Sequence, residues 1–247
     1  MSLLATLRHP PMPALLLVSA AGFGLSAALA RNAALPGFCG SIDALALLGR
    51  DPSVVFIMPG GNLTGQLLAE WALMLLAMMP PLLALPITHL RRSSLPRRRG
   101  RAIMAFVLGY GAVWLAAALP LLLAGLGLRL LLGPLALPAA LLLALGWSAS
   151  PQYARAQRVA HRFPRIGLFG GQALRDALGF GALHGRDCLR TCWAWMLVPL
   201  MVDGGHLMVM LAVSILLLAE RRTPAGPLGW RCPPLILRLR RGLVLWV

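Results

Sequence analysis

HGRDCLRTCWAWMLVPLMVDGGHLMVMLAVSILLLAERR, residues 184–222, reads as two short apolar helices reversed at Asp203, Gly204 and Gly205. The first helix carries His184, Cys188, Cys192 and Met196, each four residues after the last. At 3.6 residues per turn this spacing stacks the four side chains along one slowly drifting stripe. Imidazole, two thiols and a thioether are the donors that soft metals prefer. Asp203 and His206 sit at the hairpin tip. The rest of the chain reads as a membrane scaffold that presents this hairpin.

Composition supports the scaffold. Of 247 residues 59% are hydrophobic and 12% charged, with a mean hydropathy of +0.78, far from the usual soluble balance. Several apolar runs approach the roughly 20 residues that cross a bilayer as a helix. The expected fold is all-α: a single polytopic membrane domain over residues 1–247 with about six transmembrane helices. The four cysteines, at 39, 188, 192 and 232, form no secreted disulfide framework.

In chain order the expected spans are 14–30, 66–87, 102–127, 130–147, 187–203 and 205–220, followed by a basic tail, 221–247. The first ends in Ala28, Leu29 and Ala30, which looks like a signal-peptidase site; the reading favours a retained helix. Residues 31–65 read as an outer loop. Pro80 and Pro81 close the second span, and Pro120 should bend or end the third. The polar, arginine- and glycine-bearing stretch 148–183 reads as the longest loop.

The charge pattern orients the bundle. All 23 basic residues are arginine and the net charge is +16. Segments 1–13, 88–101, 148–190 and 221–247 hold 20 arginines, while only Arg31, Arg50 and Arg129 fall on the other side. This positive-inside bias puts both termini of a multi-pass membrane protein in the cytoplasm. The clusters read as topology signals near lipid headgroups, with anionic lipid as a partner, and not as a nucleic-acid surface.

The hairpin helices are short. Twelve residues separate Arg190 from Asp203, about 18 Å of helix against a hydrocarbon core of about 30 Å. Ionisable groups there and in the second span, Glu70 included, are functional candidates because burying them in a membrane is expensive. Glu70, Met74 and Met78 share a helix face by the same spacing of four, although methionines more often fill cores than bind metals. His184 and His206 lie about 28 Å apart along a straight helix, so they cannot hold one ion together. Two clusters result: His161, His184, Cys188 and Cys192 on the cytoplasmic side, and Glu70, Met74, Asp203 and His206 on the outer side.

WALMLLAMMP at residues 71–80 resembles the WxxMxxAMMxP pattern of the bacterial predicted metal-binding integral membrane proteins, an uncharacterised family in which some members are labelled copper chaperones. CLRTCWAWM at 188–196, with Met210 and then Glu220 and Arg221, is similar to that family's later CxGCCWxLM, GxMNxxWM and terminal EK. The resemblance covers most of residues 66–222. Thr191 stands where the family has the first cysteine of its CC pair, and Arg190 replaces a glycine. His206 stands for an asparagine and Gly205 for a methionine, and Gln157 and His161 occupy the approximate places of a CLxxC-like piece. The pairing of the two motifs implies that Cys188 and Cys192, helped by His184 or Met196, hold a soft metal such as copper, with Met74 and Met78 as further donors.

No nucleophile elbow, Walker loop or HExxH pattern occurs, so a non-enzymatic role is favoured. The leading expectation is a membrane protein that binds or relays copper to a protein partner in the membrane or periplasm. The alternative is a non-catalytic structural or assembly subunit of a larger membrane complex, in which methionines and small residues only pack helices. A membrane oxidase subunit is a weaker third reading.

Overall fold

The computed structural model describes residues 11–31, 63–160, 163–167, 169–202, 205–221, 228–230 and 232, and among these every regular element is helical. In order they are α1 (Met12–Arg31), α2 (Leu63–Met78), a 3-10 turn at Pro80–Leu83 and α3 (Ala84–Ser93). A second 3-10 turn, Pro96–Arg98, leads into α4 (Arg99–Ala116) and α5 (Ala118–Leu132). A third, Gly133–Leu135, precedes α6 (Ala136–Ala149) and α7 (Pro151–Ala160). The chain closes with α8 (Gly170–Leu200) and α9 (His206–Arg221).

The prolines act as their chemistry requires. A proline lacks the N–H that would bond four residues back and its ring crowds that carbonyl. Pro120 therefore removes the bond to Ala116, and the helix breaks there, between α4 and α5. Bonds from Ala117 N to Val113 O (3.0 Å) and from Leu121 N to Ala117 O (3.1 Å) carry the ladder across the break. At Pro80 and Pro81 the interruption is larger, and the two arms, Leu68–Met78 and Pro80–Ser93, are bent by 56°. The expected second span is thus a broken one.

Two further expectations are corrected. The stretch 148–183, expected as a loop, is largely helical: it contains α7 and the first half of α8. The first hairpin helix is therefore not short; α8 has 31 residues, about 46 Å at 1.5 Å per residue. Six spans are not evident either. Among the described residues Met12–Leu29 and the helical segment Pro96–Ala149, which turns at Gly133 (φ +52), are long and apolar enough to cross a membrane, and the bent pair adds a third if it counts as one span. The polar first half of α8 and the prolines in the other spans are the physical reason.

Helix α8 is the axis of the assembly, and glycines set its closest contact. A Cβ on Gly181 would collide with the backbone carbonyl of Phe106, and one on Gly109 with that of Leu178. Gly185, one turn after Gly181, packs on Tyr110. This small-xxx-small face lets two backbones touch, as in membrane helix pairs. Phe106 meets Gly181, Tyr110 meets Gly185, and Gly125 meets Leu200, so α4 and α5 run parallel to α8. The chain then reverses: Trp147 Nε1 bonds Arg190 O at 2.9 Å and Trp195 Nε1 bonds Ser148 Oγ at 2.9 Å, which returns α6 along α8.

The end of α8 is capped by two cationic or potentially cationic side chains. Arg129 Nε donates to Leu200 O (3.1 Å), and His206 Nδ1 lies 2.8 Å from Pro199 O. Both satisfy carbonyls that a helix leaves orphaned at its C-terminus. The chain turns back through Gly205 (φ +75), a conformation that glycine adopts without steric penalty. Asp203 and Gly204 lie outside the described residues. On the far side Ser19 Oγ donates to Ala77 O, and Gly22 packs α1 against the backbone of Ala77 on α2.

Candidate metal centre

The close α4–α8 crossing brings Tyr110 over the second half of α8. Its hydroxyl donates to Cys188 Sγ at 3.3 Å. Cys192, one turn further, presents its sulfur 3.7 Å from that of Cys188. Thr191 back-bonds to Cys188 O (2.9 Å) and Asp187 O (3.2 Å), and its hydroxyl lies 3.5 Å from Cys192 Sγ. Both cysteines are free and buried.

Helices α7 and α9 close the pocket from the other side. Tyr153 Oη donates to Glu220 Oε2, and Gln157 Nε2 reaches Tyr153 Oη (3.3 Å) and Glu220 O (3.4 Å). The last residue of α9, Arg221, turns its guanidinium inward. Nη1 and Nη2 are buried, and the guanidinium interacts with Cys188. They lie within Coulombic range of Cys188, Cys192, Tyr110 and Tyr153. Arg221, which the sequence assigns to the cytoplasmic tail, is therefore part of the interior. Tyr153, Gln157, Thr191, Cys192, Leu217 and Arg221 line a cavity of about 10 Å³, at the lower limit for one water-sized occupant.

The sulfur separation has a chemical meaning. With metal–sulfur bonds of about 2.3 Å, two ligands at a tetrahedral angle are about 3.8 Å apart and two in line about 4.6 Å apart. The observed 3.7 Å is close to the edge of a tetrahedral shell, and a metal held there would need other donors at its remaining corners.

The remaining residues of the sequence reading fall as follows. The stripe of four is buried along its whole length: His184, Cys188, Cys192 and Met196. The His184 ring, however, packs among Phe106, Tyr110 and Phe180, with centroids 6.0, 6.2 and 6.1 Å away. Met74 and Met78 are buried on α2, and Ser214 Oγ of α9 donates to Met78 O at 3.3 Å, so α2 adjoins the helix that carries Arg221. On the proposed outer side, Glu70 Oε1 is buried with no hydrogen-bond partner among the described residues, while His206 is engaged with Pro199. Asp203 and His161 lie outside the described residues. Among those described, no group of three or more His, Cys, Asp or Glu side chains is arranged to hold a metal ion.

A family model described as PpoB2, copper chaperone, matches residues 68–244. The chain belongs to this copper chaperone family. No curated protein and no solved structure matches it. The family match includes most of α2, the cysteine pair and the Glu220–Arg221 end of α9, so α4, α7, α8 and α9 around the sulfurs all lie within the matched region. Tyr110, Tyr153 and Arg221 are the neighbours of the dithiol that sequence reasoning missed. Only the EK-like ending at Glu220 and Arg221 could have pointed to one of them.

Proposed function

We propose that this protein is an integral membrane copper chaperone that holds one Cu(I) ion, its cargo, at Cys188 and Cys192 and passes it to a protein partner. The observation that carries the reading is the buried pair of sulfurs 3.7 Å apart inside the region of the copper chaperone match. Thiolates are the soft ligands that favour Cu(I), and ligands four apart on one helix grip an ion from one side. A partner's thiol or thioether could then attack the open side and take the ion by ligand exchange. Neutral donors for the other corners are drawn from Met196, His184, Met74 and Met78.

Membrane insertion is supported by the apolar outer surface. Leu131 (85% exposed), Met208 (73%), Leu17 (72%) and Leu142 (70%) project outward on four different helices. Apolar surface on this scale marks contact with lipid or another protein. With the arginine asymmetry the reading is a bacterial inner-membrane protein with both termini cytoplasmic. It takes lipid and a protein as partners, and no nucleic acid.

The test is metal stoichiometry on full-length protein purified in detergent and loaded with Cu(I) anaerobically. The expected result is one Cu(I) per chain, lost in Cys188→Ser/Cys192→Ser. Unchanged copper in that double variant would remove the site from the account.

A further inference from the structure

We propose that Arg221 is the counter-charge that makes the Cys188–Cys192 site discriminate for a monovalent soft cation, Cu(I), over divalent ions such as Zn(II). The proposal rests on the copper reading of the same two cysteines and adds the basis of its selectivity.

A metal bound by both cysteines takes them as thiolates, because the ligands must be deprotonated. Two thiolates and Cu(I) sum to one negative charge, which the Arg221 guanidinium cancels. Arg221 also repels the second unit of charge that Zn(II) brings, so it weakens the divalent complex relative to the monovalent one. A buried guanidinium that interacts with Cys188 and lines the same cavity as Cys192 is placed to offset an anionic complex on the two sulfurs.

The other charges nearby do not substitute for it. The Glu220 carboxylate, which accepts from Tyr153 Oη, is the same in every Arg221 variant and drops out of the comparison, and the buried Asp187 is paired with Arg186 (3.6 Å) and Arg190 (3.7 Å). Tyr110, Thr191 and Gln157 are neutral. Met196, Met74 and Met78 would complete the shell without changing the sum. Arg221 also closes the cavity beside Cys192, so the same side chain lines the path to the sulfurs from the end of α9.

The ratio of Cu(I) to Zn(II) affinity isolates this effect. Changes in thiolate stability at Arg221 act on both ions, and the comparison of Arg221→Gln with the charge-retaining Arg221→Lys separates packing from the repulsion between the guanidinium and one extra unit of metal charge. At an effective dielectric near 20, that repulsion corresponds to roughly a thousandfold in the ratio at about 4 Å, falling to about tenfold near 12 Å.

The experiment measures both affinities on full-length protein in detergent, Cu(I) anaerobically against a chromogenic chelator and Zn(II) against a fluorescent one. Wild type is compared with Arg221→Gln and Arg221→Lys, with Cys188→Ser/Cys192→Ser as the control for site identity. The expected result is a ratio lowered at least about tenfold in Arg221→Gln and kept within about threefold in Arg221→Lys, which retains the charge. If Arg221→Gln does not yield monodisperse protein, Arg221→Met, which keeps an unbranched stem, is read in the same way. A ratio unchanged on loss of the charge, with copper still bound at the cysteines, overturns this proposal and leaves the copper reading standing. Wild-type protein that takes Zn(II) at the cysteines as readily as Cu(I) also overturns it, with no variant needed. Wild-type protein with no cysteine-dependent metal removes both.

Discussion

The hydroxyl of Tyr110 donates to Cys188 Sγ across the α4–α8 interface, between residues 78 apart in the chain. It can do so because Gly109 and Gly181 let the two backbones meet. The arrangement of the dithiol is in this sense a product of helix packing: glycines fix the crossing, the crossing delivers Tyr110, and Tyr110 orients one of the two sulfurs.

Gly181→Ala should therefore be destabilising far beyond its one added methyl. The new Cβ would overlap the carbonyl of Phe106, and backbone cannot move aside as a side-chain tip can. Overpacking of this kind costs about 1–3 kcal/mol. Gly179→Ala, on the same helix with open space at its Cβ, should be neutral or up to about 1 kcal/mol stabilising. Thermal unfolding in detergent measures both, and equal melting temperatures for the two variants would contradict the close crossing.

Tyr110→Phe removes a hydrogen-bond donor to sulfur and no metal ligand. The expectation is a stability loss of about 1 kcal/mol with copper stoichiometry unchanged. Thermal unfolding and metal analysis on the same preparation test it; complete loss of copper would make the phenol a ligand.

Tyr153 and Glu220 join α7 to α9 behind the sulfurs. Tyr153→Phe leaves a buried carboxylate short of its donor and should cost about 1–3 kcal/mol. Adding Glu220→Gln to Tyr153→Phe should cost less than the two single effects together, since the pair acts as a unit. Full additivity in the double-mutant cycle would show that the two groups are not coupled.

What the sequence made legible was the local part of this arrangement. The spacing of four along residues 184–196 is a property of one helix, and the turn at Gly205 follows from a glycine that accepts positive φ; both are present in the structure. The first half of α8 was not legible. Gly170, Gly171, Gly179, Gly181 and Gly185 weaken helix propensity, and the neighbouring arginines suppress the apolar signal, so the segment reads as loop. Its helicity comes from packing on α4, a partner distant in the chain. Tyr110, Tyr153 and Arg221 escaped for the same reason. An arginine that follows an apolar run looks like a topology marker until the fold turns it back onto two thiols.

Topology supplies a prediction independent of the metal. The proposed topology, argued from the 20-to-3 division of arginines, has the end of the chain in the cytoplasm. A reporter fused after Val247 should be active only if it functions inside the cell. Activity of a periplasm-specific reporter at that position would reverse the orientation and move the sulfurs toward the opposite face.

The last prediction concerns the neutral donors. A sulfur separation of 3.7 Å leaves corners of the shell to fill, and Met196 follows Cys192 by one turn on the same face of α8. Met78 lies on α2, whose backbone is bonded to α9 through Ser214. Leucine closely matches methionine in volume, so Met196→Leu and Met78→Leu should each cost under about 1.5 kcal/mol of stability. A drop in Cu(I) affinity in these variants therefore reports ligation and not collapse of the core. We expect roughly a tenfold loss for a thioether that binds, about 1.4 kcal/mol in binding free energy, with the cysteines still retaining one ion. Competition against a chromogenic Cu(I) chelator, with unfolding measured on the same samples, separates the two effects. Unchanged affinity in Met78→Leu assigns that methionine, and with it the α2 face, to packing alone; unchanged affinity in both variants leaves His184 or a partner's ligand to complete the shell.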